Sequence, residues 1–151
     1  MKPFIIGGGQ QDRLRSGTYN TEGILSIAQA LKSFESYEDS KAILKMKNDI
    51  IQILKDLDEF DYIENESFNT ICVLHKEKKS DEMLIHFDMN GIAVSSGSAC
   101  SSGSLKPSHV LLAMGFSDKA NQSIRISLGR RCLEDKDMIL QRLRDTLKEI
   151  R

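Results

Sequence analysis

The residue with the clearest chemical potential in this sequence is Cys100, which lies in a segment of small residues. The segment from Ser95 to Gly103 reads Ser-Ser-Gly-Ser-Ala-Cys-Ser-Ser-Gly, so five serines and two glycines surround the thiol. Small polar residues pack poorly and leave the backbone mobile, which predicts an exposed and movable thiol. A free thiol has a pKa of about 8.5, so a minor thiolate fraction is available at neutral pH as a nucleophile. The alternative interpretation is a surface loop with an incidental cysteine.

A second group of residues that could do chemistry follows a triple glycine. Residues 7–9 are all glycine, and Arg13, Arg15, Ser16 and Thr18 follow within a few positions. Two guanidiniums, two hydroxyls and open backbone amides suit an anion, although the glycine run matches neither a P-loop nor a dinucleotide fingerprint. Alternatively, the segment is a polar loop that caps the helix predicted after it.

Arg125 is the third candidate, in a segment with the alternation of a half-buried strand. Ile124, Ile126 and Leu128 alternate with polar residues over 122–128, which places Arg125 on the polar face. A strand holds a guanidinium rigidly, and the guanidinium can bind a carboxylate through two hydrogen bonds. On spacing alone, an ordinary arginine on a strand surface fits equally well.

The composition is that of an ordinary soluble protein with one core. The 151 residues are 40% apolar and 28% charged, with a net charge of −1 and with acids and bases interspersed. The sequence lacks the basic stripe of a nucleic-acid-binding surface and the polybasic surface that binds anionic lipid. Its apolar runs are far shorter than the roughly 20 residues that span a bilayer, and its first residues lack the apolar region of a secretory signal. We expect a cytoplasmic protein with neither a nucleic-acid nor a membrane partner.

The cysteine pattern limits the other chemistry that the chain could perform. Cys72, Cys100 and Cys132 are odd in number and widely spaced, with no C-x-x-C pair and no Cys/His cluster. This spacing argues against a disulfide framework and against a zinc site, so no metal ligands are predicted. Cys72 lies in an apolar run and is interpreted as a core residue, and Cys132 is interpreted as inert.

Hydrophobic periodicity predicts the elements that position these residues. Apolar residues at helical spacing predict helices over 21–36, 37–57, 81–89, 108–114 and 133–150. Alternating or β-branched runs predict strands over 62–64, 70–75, 92–95 and 122–128. Four lysines of the second helix are interpreted as a solvated face: Lys41, Lys45, Lys47 and Lys55. The last helix is predicted to turn four apolar residues inward: Met138, Ile139, Leu143 and Leu147. The predicted fold class is α+β, with helices that cover a small, mainly antiparallel sheet.

Several of these motifs occur together in the order typical of one enzyme family. The segment 95–103 around Cys100 is followed by Leu105-Lys-Pro-Ser-His-Val-Leu-Leu-Ala-Met-Gly115 and by Ser123-Ile-Arg-Ile-Ser-Leu-Gly-Arg130. The stretch from Gly7 to Asn20 reads Gly-Gly-Gly-Gln-Gln-Asp-Arg-Leu-Arg-Ser-Gly-Thr-Tyr-Asn, and the segments 69–70 and 81–95 also follow the pattern. The sequence resembles the NifS/IscS-type cysteine desulfurases, which have the class V aminotransferase fold and depend on pyridoxal phosphate.

The resemblance implies that this chain is the C-terminal portion of such an enzyme. In the family, the cofactor lysine stands in a Ser/Thr-x-His-Lys context upstream of the triple glycine, and this sequence begins near that glycine segment. Residues 1–20 are expected to form an arm at the end of the cofactor-binding large domain, and residues 21–151 the C-terminal small domain of this fold. The pair His75-Lys76 is interpreted as a strand end that enters a solvated turn, because nothing around Lys76 would desolvate its amine.

The resemblance also implies a role for each candidate site residue. Cys100 would attack the sulfur of L-cysteine, which leaves L-alanine and a persulfide on Cys100, while pyridoxal phosphate acts as the electron sink. Thr18 and Arg15 would help to hold the phosphate of the cofactor, Thr18 across a dimer interface, and Arg125 would bind the α-carboxylate of the substrate. The implied partners are L-cysteine, a second copy of the chain or a missing N-terminal half, and a scaffold protein that accepts sulfur for iron-sulfur clusters, thio-cofactors or tRNA.

Two other functions would use the same residues. A selenocysteine lyase has the same fold and cofactor, and competition between cysteine and selenocysteine would separate the two activities. Because the cofactor lysine is absent, the chain is expected to be inactive alone, and it is alternatively half of a split enzyme or a non-catalytic module that accepts persulfide. Such an isolated chain is also expected to expose apolar surface.

Overall fold

The computed structural model describes residues 2–35, 39–97 and 107–150, and the chain divides into two compact units, residues 1–37 and 38–151. In the first unit, a loop precedes helix α1, Thr21–Glu35. The second unit contains helices α2 (Asp39–Lys55), α3 (Ser80–Met89), α4 (His109–Ala113) and α5 (Lys136–Glu149), and strands β1 (Phe60–Ile63), β2 (Thr70–His75) and β3 (Ser123–Ser127). Short 3-10 turns occupy Ser117–Lys119 and Arg130–Leu133. The assignment of residues 1–20 and 21–151 to two domains of a larger enzyme stays a prediction.

Helix α1 forms where the sequence predicts it. The Asn20 side chain accepts a hydrogen bond from the backbone N–H of Gly23 at 3.0 Å, which satisfies one of the free donors at the start of the helix. The apolar residues of α1 are largely exposed: Ile24, Leu25, Ile27 and Leu31. Apolar surface is therefore exposed on this helix.

The three strands form one antiparallel sheet in the order β1-β2-β3. The register pairs Ile63 of β1 with Cys72 of β2, and Cys72 in turn with Arg125 of β3. The observed β2 has the predicted bounds, and β1 and β3 lie within two residues of theirs. The α+β prediction, with helices and a small antiparallel sheet, is confirmed.

The core of the second unit lies between one face of the sheet and the helices. Helix α2 packs against β1 and α5, and α3 packs against β3. Apolar side chains with less than one tenth of their surface exposed fill this space: Ile43, Met46, Ile50, Leu54, Ile71, Val73, Met83, Phe87, Ile124, Leu143 and Leu147. Burial of each large apolar side chain contributes about 1.5–3 kcal/mol, so this layer fixes the sheet against α2 and α5.

Two predicted elements differ from the structure. The predicted strand 92–95 is reduced to one bridge between Ser95 and Arg125, because only Ser95 reaches a strand with which it can pair. The predicted helix 133–150 begins at Lys136 instead, since the residues before it form the 3-10 turn and Asp135 has non-helical dihedrals, φ −121° and ψ 34°. With this start, Met138 is 52% exposed, so its predicted inward position is wrong.

Lys47 is a further correction, because it does not belong to the solvated face of α2. Its side chain is buried, with 6% of the residue surface exposed, whereas Lys41, Lys45 and Lys55 are exposed as predicted. The helical stripe rule assigns charged residues to solvent, and Lys47 departs from that rule because backbone and side-chain oxygens meet its ammonium group.

Candidate functional site

The face of the sheet opposite the core borders a cavity of about 290 Å³. Cys72 and Arg125 are register partners and both line this cavity, as does Ile63 of β1. Val73 is buried on the other face, because successive side chains of a strand alternate between faces. The β1–β2 loop, α4 and Gly97 complete the walls. The volume is near the lower limit for small-molecule sites, about 300 Å³.

Arg125 lies at the point where this cavity meets the segment that precedes the predicted active cysteine. Its backbone forms two hydrogen bonds with Ser95, of 2.6 Å and 3.0 Å, and its Nη1 donates to the carbonyl of Gly97. The side chain is half-buried, so the guanidinium is both held and accessible. Cys100 itself lies outside the described residues. Strand β3 therefore holds the candidate carboxylate ligand and the described start of the cysteine segment.

Cys72 is a half-buried wall of the cavity, so its interpretation as a core residue is wrong. Burial raises the pKa of the Cys72 thiol, and the positive charge of Arg125 opposes this effect without cancelling it. A thiol with a raised pKa has less thiolate at neutral pH than an ordinary cysteine, and only the thiolate is a strong nucleophile. Cys72 is therefore a poor competitor for Cys100 as the sulfur acceptor.

The candidate anion-binding residues of the first unit lie in a loop that its own side chains hold together. Nη1 of Arg15 donates to the carbonyls of Gly17 at 3.2 Å and Thr18 at 3.0 Å. The Ser16 hydroxyl, which is buried, donates to the carbonyl of Gly8 at 2.8 Å. A Cβ on Gly7 would lie 3.2 Å from the Cβ of Ser16, so this close approach favours glycine at position 7. Arg15 and Ser16 thus stabilise the turn that presents Thr18.

This loop provides one free hydroxyl for a phosphate group. Thr18 is exposed, and its hydroxyl has no hydrogen-bond partner within the part of the chain that the structure describes. Gly17, at φ +111°, has a conformation that side-chain-bearing residues rarely adopt, and it turns the chain just before Thr18. The donor set fits a phosphate through Thr18 and the remaining nitrogens of Arg15, whereas the Ser16 hydroxyl is already used. The structure brings Arg15 and Thr18 together in residues 1–37 and places Arg125 in residues 38–151.

Three consecutive residues of this loop have left-handed backbone conformations. Gln11, Asp12 and Arg13 have φ values of 49°, 53° and 63°. Each such residue costs roughly 1–2 kcal/mol when it carries a side chain, and strain of this kind is concentrated at functional sites. Sequence reasoning missed this turn, because glycine is its usual signal and, of these three residues, only Asp12 is of a type that tolerates the left-handed region.

The pair His75-Lys76 is structural, in agreement with the interpretation from the sequence. His75 is 2% exposed, and its ring meets the ring of Phe60 edge to face, with centroids 4.8 Å apart. Its Nδ1 accepts hydrogen bonds from the backbone N–H groups of Glu77 and Lys78, each at 2.9 Å. His75 therefore fixes the turn after β2, and Lys76 is exposed in that turn.

The same environment makes His75 a determinant of acid stability. Burial lowers the pKa of His75, the nearby positive charge of Lys78 lowers it further, and Glu59, Glu77 and the backbone of Ile150 only partly oppose the shift. The unfolded chain, with a histidine pKa of about 6.5, therefore binds a proton at higher pH than the folded chain does. The stabilisation by neutral His75 is complete above the pKa of the unfolded state and is lost as the pH falls through the lower pKa of the folded state.

We expect the free energy of unfolding to decrease as the pH falls below about 6.5, and the variant His75→Asn to lack most of this decrease. Asparagine supplies an oxygen acceptor near the position of Nδ1 and does not titrate. Urea unfolding of both proteins at several pH values measures the difference. Parallel pH profiles for the two proteins would show that His75 does not cause the loss.

The described residues contain neither a membrane-spanning helix nor a group of potential metal ligands. None of their helices is long and apolar enough to cross a membrane. Over residues 2–35, 39–97 and 107–150, there is also no group of three or more His, Cys, Asp or Glu side chains that could hold a metal ion.

Comparison with known proteins identifies one family. The sequence profile of the family described as aminotransferase class-V matches residues 7–136. The cysteine desulfurase IscS 1 of Archaeoglobus fulgidus is 32% identical over 159 aligned positions, which cover all of this chain and 41% of that protein. A putative cysteine desulfurase IscS 1 of Bacillus subtilis is 38% identical, over 85% of this chain and 36% of that protein.

A solved structure agrees with these relatives. The X-ray structure of a NifS-like protein from Rickettsia africae superposes with a TM-score of 0.71 and 30% identity, over 97% of this chain and 40% of that chain. The chain thus spans about two fifths of the length of the relatives that it matches. Because the profile match covers most of the sequence and the described fold agrees, the chain belongs to the class V aminotransferase family, and its curated relatives include cysteine desulfurases.

Proposed function

We propose that this chain is the part of a cysteine desulfurase that binds the substrate carboxylate and carries the transferred sulfur on Cys100. The observation that carries the proposal is the position of Arg125, which lines the cavity and is hydrogen-bonded to Gly97, three residues before Cys100. A substrate held by Arg125 would therefore lie near the segment that supplies the nucleophile. The named function of the relatives supports the same reaction.

Arg125 is suited to bind the α-carboxylate of L-cysteine. The guanidinium is planar and always charged, and it can donate two parallel hydrogen bonds to a carboxylate. Antiparallel pairing with β2 and the bridge to Ser95 fix the backbone of Arg125 on both sides. A ligand on a paired strand is held more rigidly than one on a loop, so the orientation of the substrate would be well defined.

Cys100 would perform the sulfur transfer. Its thiolate attacks the substrate sulfur, so a sulfur–sulfur bond forms while the bond between that sulfur and the β-carbon breaks. The electron pair of the broken bond passes to the substrate carbon framework, where protonation gives L-alanine, and Cys100 carries the persulfide. The small residues around Cys100 would let the same thiol reach the substrate and then an acceptor protein.

The cofactor of the family is pyridoxal phosphate, which would act as the electron sink when bound. In this chain, the Thr18 hydroxyl would donate to the phosphate, and Arg15 would hold the Gly17–Thr18 turn and add positive charge. We propose that the lysine that binds the cofactor comes from another segment of the enzyme or from another chain. We also propose a homodimer in which Thr18 serves the opposite subunit, and delivery of sulfur for iron-sulfur clusters, thio-cofactors or tRNA, as the resemblance to the family implies. A cytoplasmic location is part of the proposal as well and rests on the composition of the sequence.

A non-catalytic module is the second candidate function, because the chain spans only about two fifths of its relatives. Such a module would accept persulfide sulfur on Cys100 without generating it. A selenocysteine lyase would use the same site, and a preference for selenocysteine in competition with cysteine would identify that activity.

The proposal is tested in a mixture of the chain, pyridoxal phosphate, L-cysteine and a second polypeptide. This second polypeptide contains the domain of a cysteine desulfurase that carries the cofactor lysine. We expect L-alanine to form and the intact mass of the chain to increase by one sulfur atom, in a form that a reducing agent removes. A mass increase only when an external persulfide is supplied would favour the module. Neither product under any condition would contradict both functions.

A further inference from the structure

Lys47 on α2 has an unusual environment for a lysine. It is 6% exposed, and its Nζ donates to the carbonyl of Asn65 at 3.3 Å, to the side-chain oxygen of Asn65 at 3.2 Å, and to the carbonyl of Ser67. All three acceptors are neutral oxygens. A buried ammonium group is costly unless its donors are satisfied, and here three donors meet three acceptors. The burial of Lys47 therefore depends on the conformation of the β1–β2 loop.

The loop that Lys47 holds is a wall of the cavity that contains Arg125. Glu64, Asn65 and Ser67 line this cavity together with Cys72 and Arg125. The side-chain oxygen of Asn65 also accepts from the backbone N–H of Ser67 at 3.0 Å, which closes the loop around the ammonium group. Lys47 itself does not line the cavity, so it would act on the cavity only through the loop.

Hydrogen bonds continue from this loop to the end of β3. The Ser67 hydroxyl donates to the side-chain oxygen of Asn69 at 2.9 Å, and the Asn69 side-chain nitrogen donates to the carbonyl of Leu128 at 3.3 Å. The backbone N–H of Leu128 returns a bond to the carbonyl of Asn69 at 2.8 Å. The path therefore links Lys47 on α2 to Leu128, three residues beyond Arg125 on the same chain segment.

We infer that Lys47 is a positioning residue for the substrate cavity: it fixes the loop 64–69 as a wall of the cavity that Arg125 also lines, and so sets the space in which a small carboxylate binds. The inference rests on the proposed function, since that function gives the cavity its substrate. Without the ammonium group, the loop loses three hydrogen bonds from a charged donor, and the wall that it forms becomes mobile.

The test uses Cys72 as a reporter, because its thiol lines the same cavity as the loop. In the full chain with Cys100→Ser and Cys132→Ser, Cys72 is the single thiol, and its alkylation by neutral iodoacetamide and by anionic iodoacetate is measured. Lys47→Met removes the donors, and Lys47→Arg keeps the charge. Lys45→Met is the matched control, since Lys45 is exposed on the same helix. Leu143→Ala is the control for a general loss of stability, because Leu143 is buried in the core.

We expect Lys47→Met to accelerate alkylation of Cys72 by iodoacetamide and amide exchange at residues 64–69 at least about tenfold, because the loss of even one hydrogen bond from a charged donor changes a local equilibrium by about one decade. The ratio of the alkylation rate by iodoacetate to the rate by iodoacetamide should also decrease, since a mobile wall no longer confines the anion in the cavity that Arg125 lines. Lys47→Arg should retain most of the protection, and Lys45→Met should behave as the parent.

Unchanged alkylation and exchange in Lys47→Met would overturn the inference. Equal acceleration in Lys47→Met and in a Leu143→Ala protein of the same stability would also overturn it, because Lys47 would then only stabilise the fold. In the reconstituted enzyme, we expect Lys47→Met to raise the KM for L-cysteine and leave kcat nearly unchanged. If the reconstituted enzyme forms no alanine, the proposed function fails, but the alkylation experiment, which needs no cofactor, still decides whether Lys47 positions the wall.

Discussion

Substitution of Cys100 by serine is expected to reduce sulfur transfer to the background level, because a hydroxyl does not replace a thiolate in the formation of a sulfur–sulfur bond. Mass spectrometry of the chain, after reaction with the lysine-bearing domain, pyridoxal phosphate and L-cysteine, measures the persulfide at each cysteine. Cys72→Ser should retain the persulfide on Cys100, because the raised pKa of Cys72 keeps that thiol protonated. Cys132→Ser should also retain it.

The two serine variants at positions 72 and 132 are matched controls, since each removes one thiol and leaves the other two. Differential labelling of persulfides in the unmodified chain provides an independent measurement. Equal persulfide at all three cysteines would contradict the assignment of Cys100, because a specific transfer should mark one position.

Substitution of Arg125 by methionine is expected to raise the KM for L-cysteine about a hundredfold or more, since each hydrogen bond to a charged group contributes about 1.5–3 kcal/mol and 1.4 kcal/mol is a factor of ten. Arg125→Lys should recover only part of this loss, because an ammonium group does not form the two parallel bonds of a guanidinium. Steady-state kinetics of the reconstituted enzyme, with alanine as the product, measures both effects.

Arg144→Met is the control for the loss of a positive charge, because Arg144 is exposed on α5 and does not line this cavity. It should leave the KM for L-cysteine nearly unchanged. A normal KM in Arg125→Met, or an equal rise in Arg144→Met, would show that Arg125 does not bind the substrate carboxylate. Arg125→Met should also raise the pKa of Cys72 further, because the guanidinium now lowers it.

The elements with strong local signals could be predicted from the sequence. The run of apolar and β-branched residues over 70–75 has the observed bounds of β2. Asn90-Gly91 is a typical C-terminal stop, and Gly91, with a φ of 69°, follows the end of α3. The strand alternation around Arg125 also identified β3, which Ser123–Ser127 forms. In each case, a short sequence contains all the information, because the signal depends on neighbouring residues alone.

The features that sequence reasoning missed depend on contacts between residues that are not neighbours in the sequence. Lys47 is buried because Asn65 and Ser67, about twenty positions away, fold over it, and helical periodicity contains no information about that loop. Cys72 lines a cavity because the face opposite the core is only partly covered, which its apolar neighbours in sequence do not reveal. The left-handed turn at 11–13 contains no glycine that would indicate it. The backbone N–H of Gln11 donates a hydrogen bond to the Tyr19 hydroxyl at 3.2 Å, which helps to hold this turn.

The most direct test of the claim that this chain works as part of a cysteine desulfurase is an alanine assay with and without the lysine-bearing domain. Pyridoxal phosphate is added to the chain while its absorbance is recorded, and L-cysteine is then added. We expect no alanine from the chain alone, and alanine together with a persulfide on Cys100 once the lysine-bearing domain is present. Alanine from the chain alone would show that a lysine of this chain serves the cofactor, and no alanine in either case would contradict the proposed function.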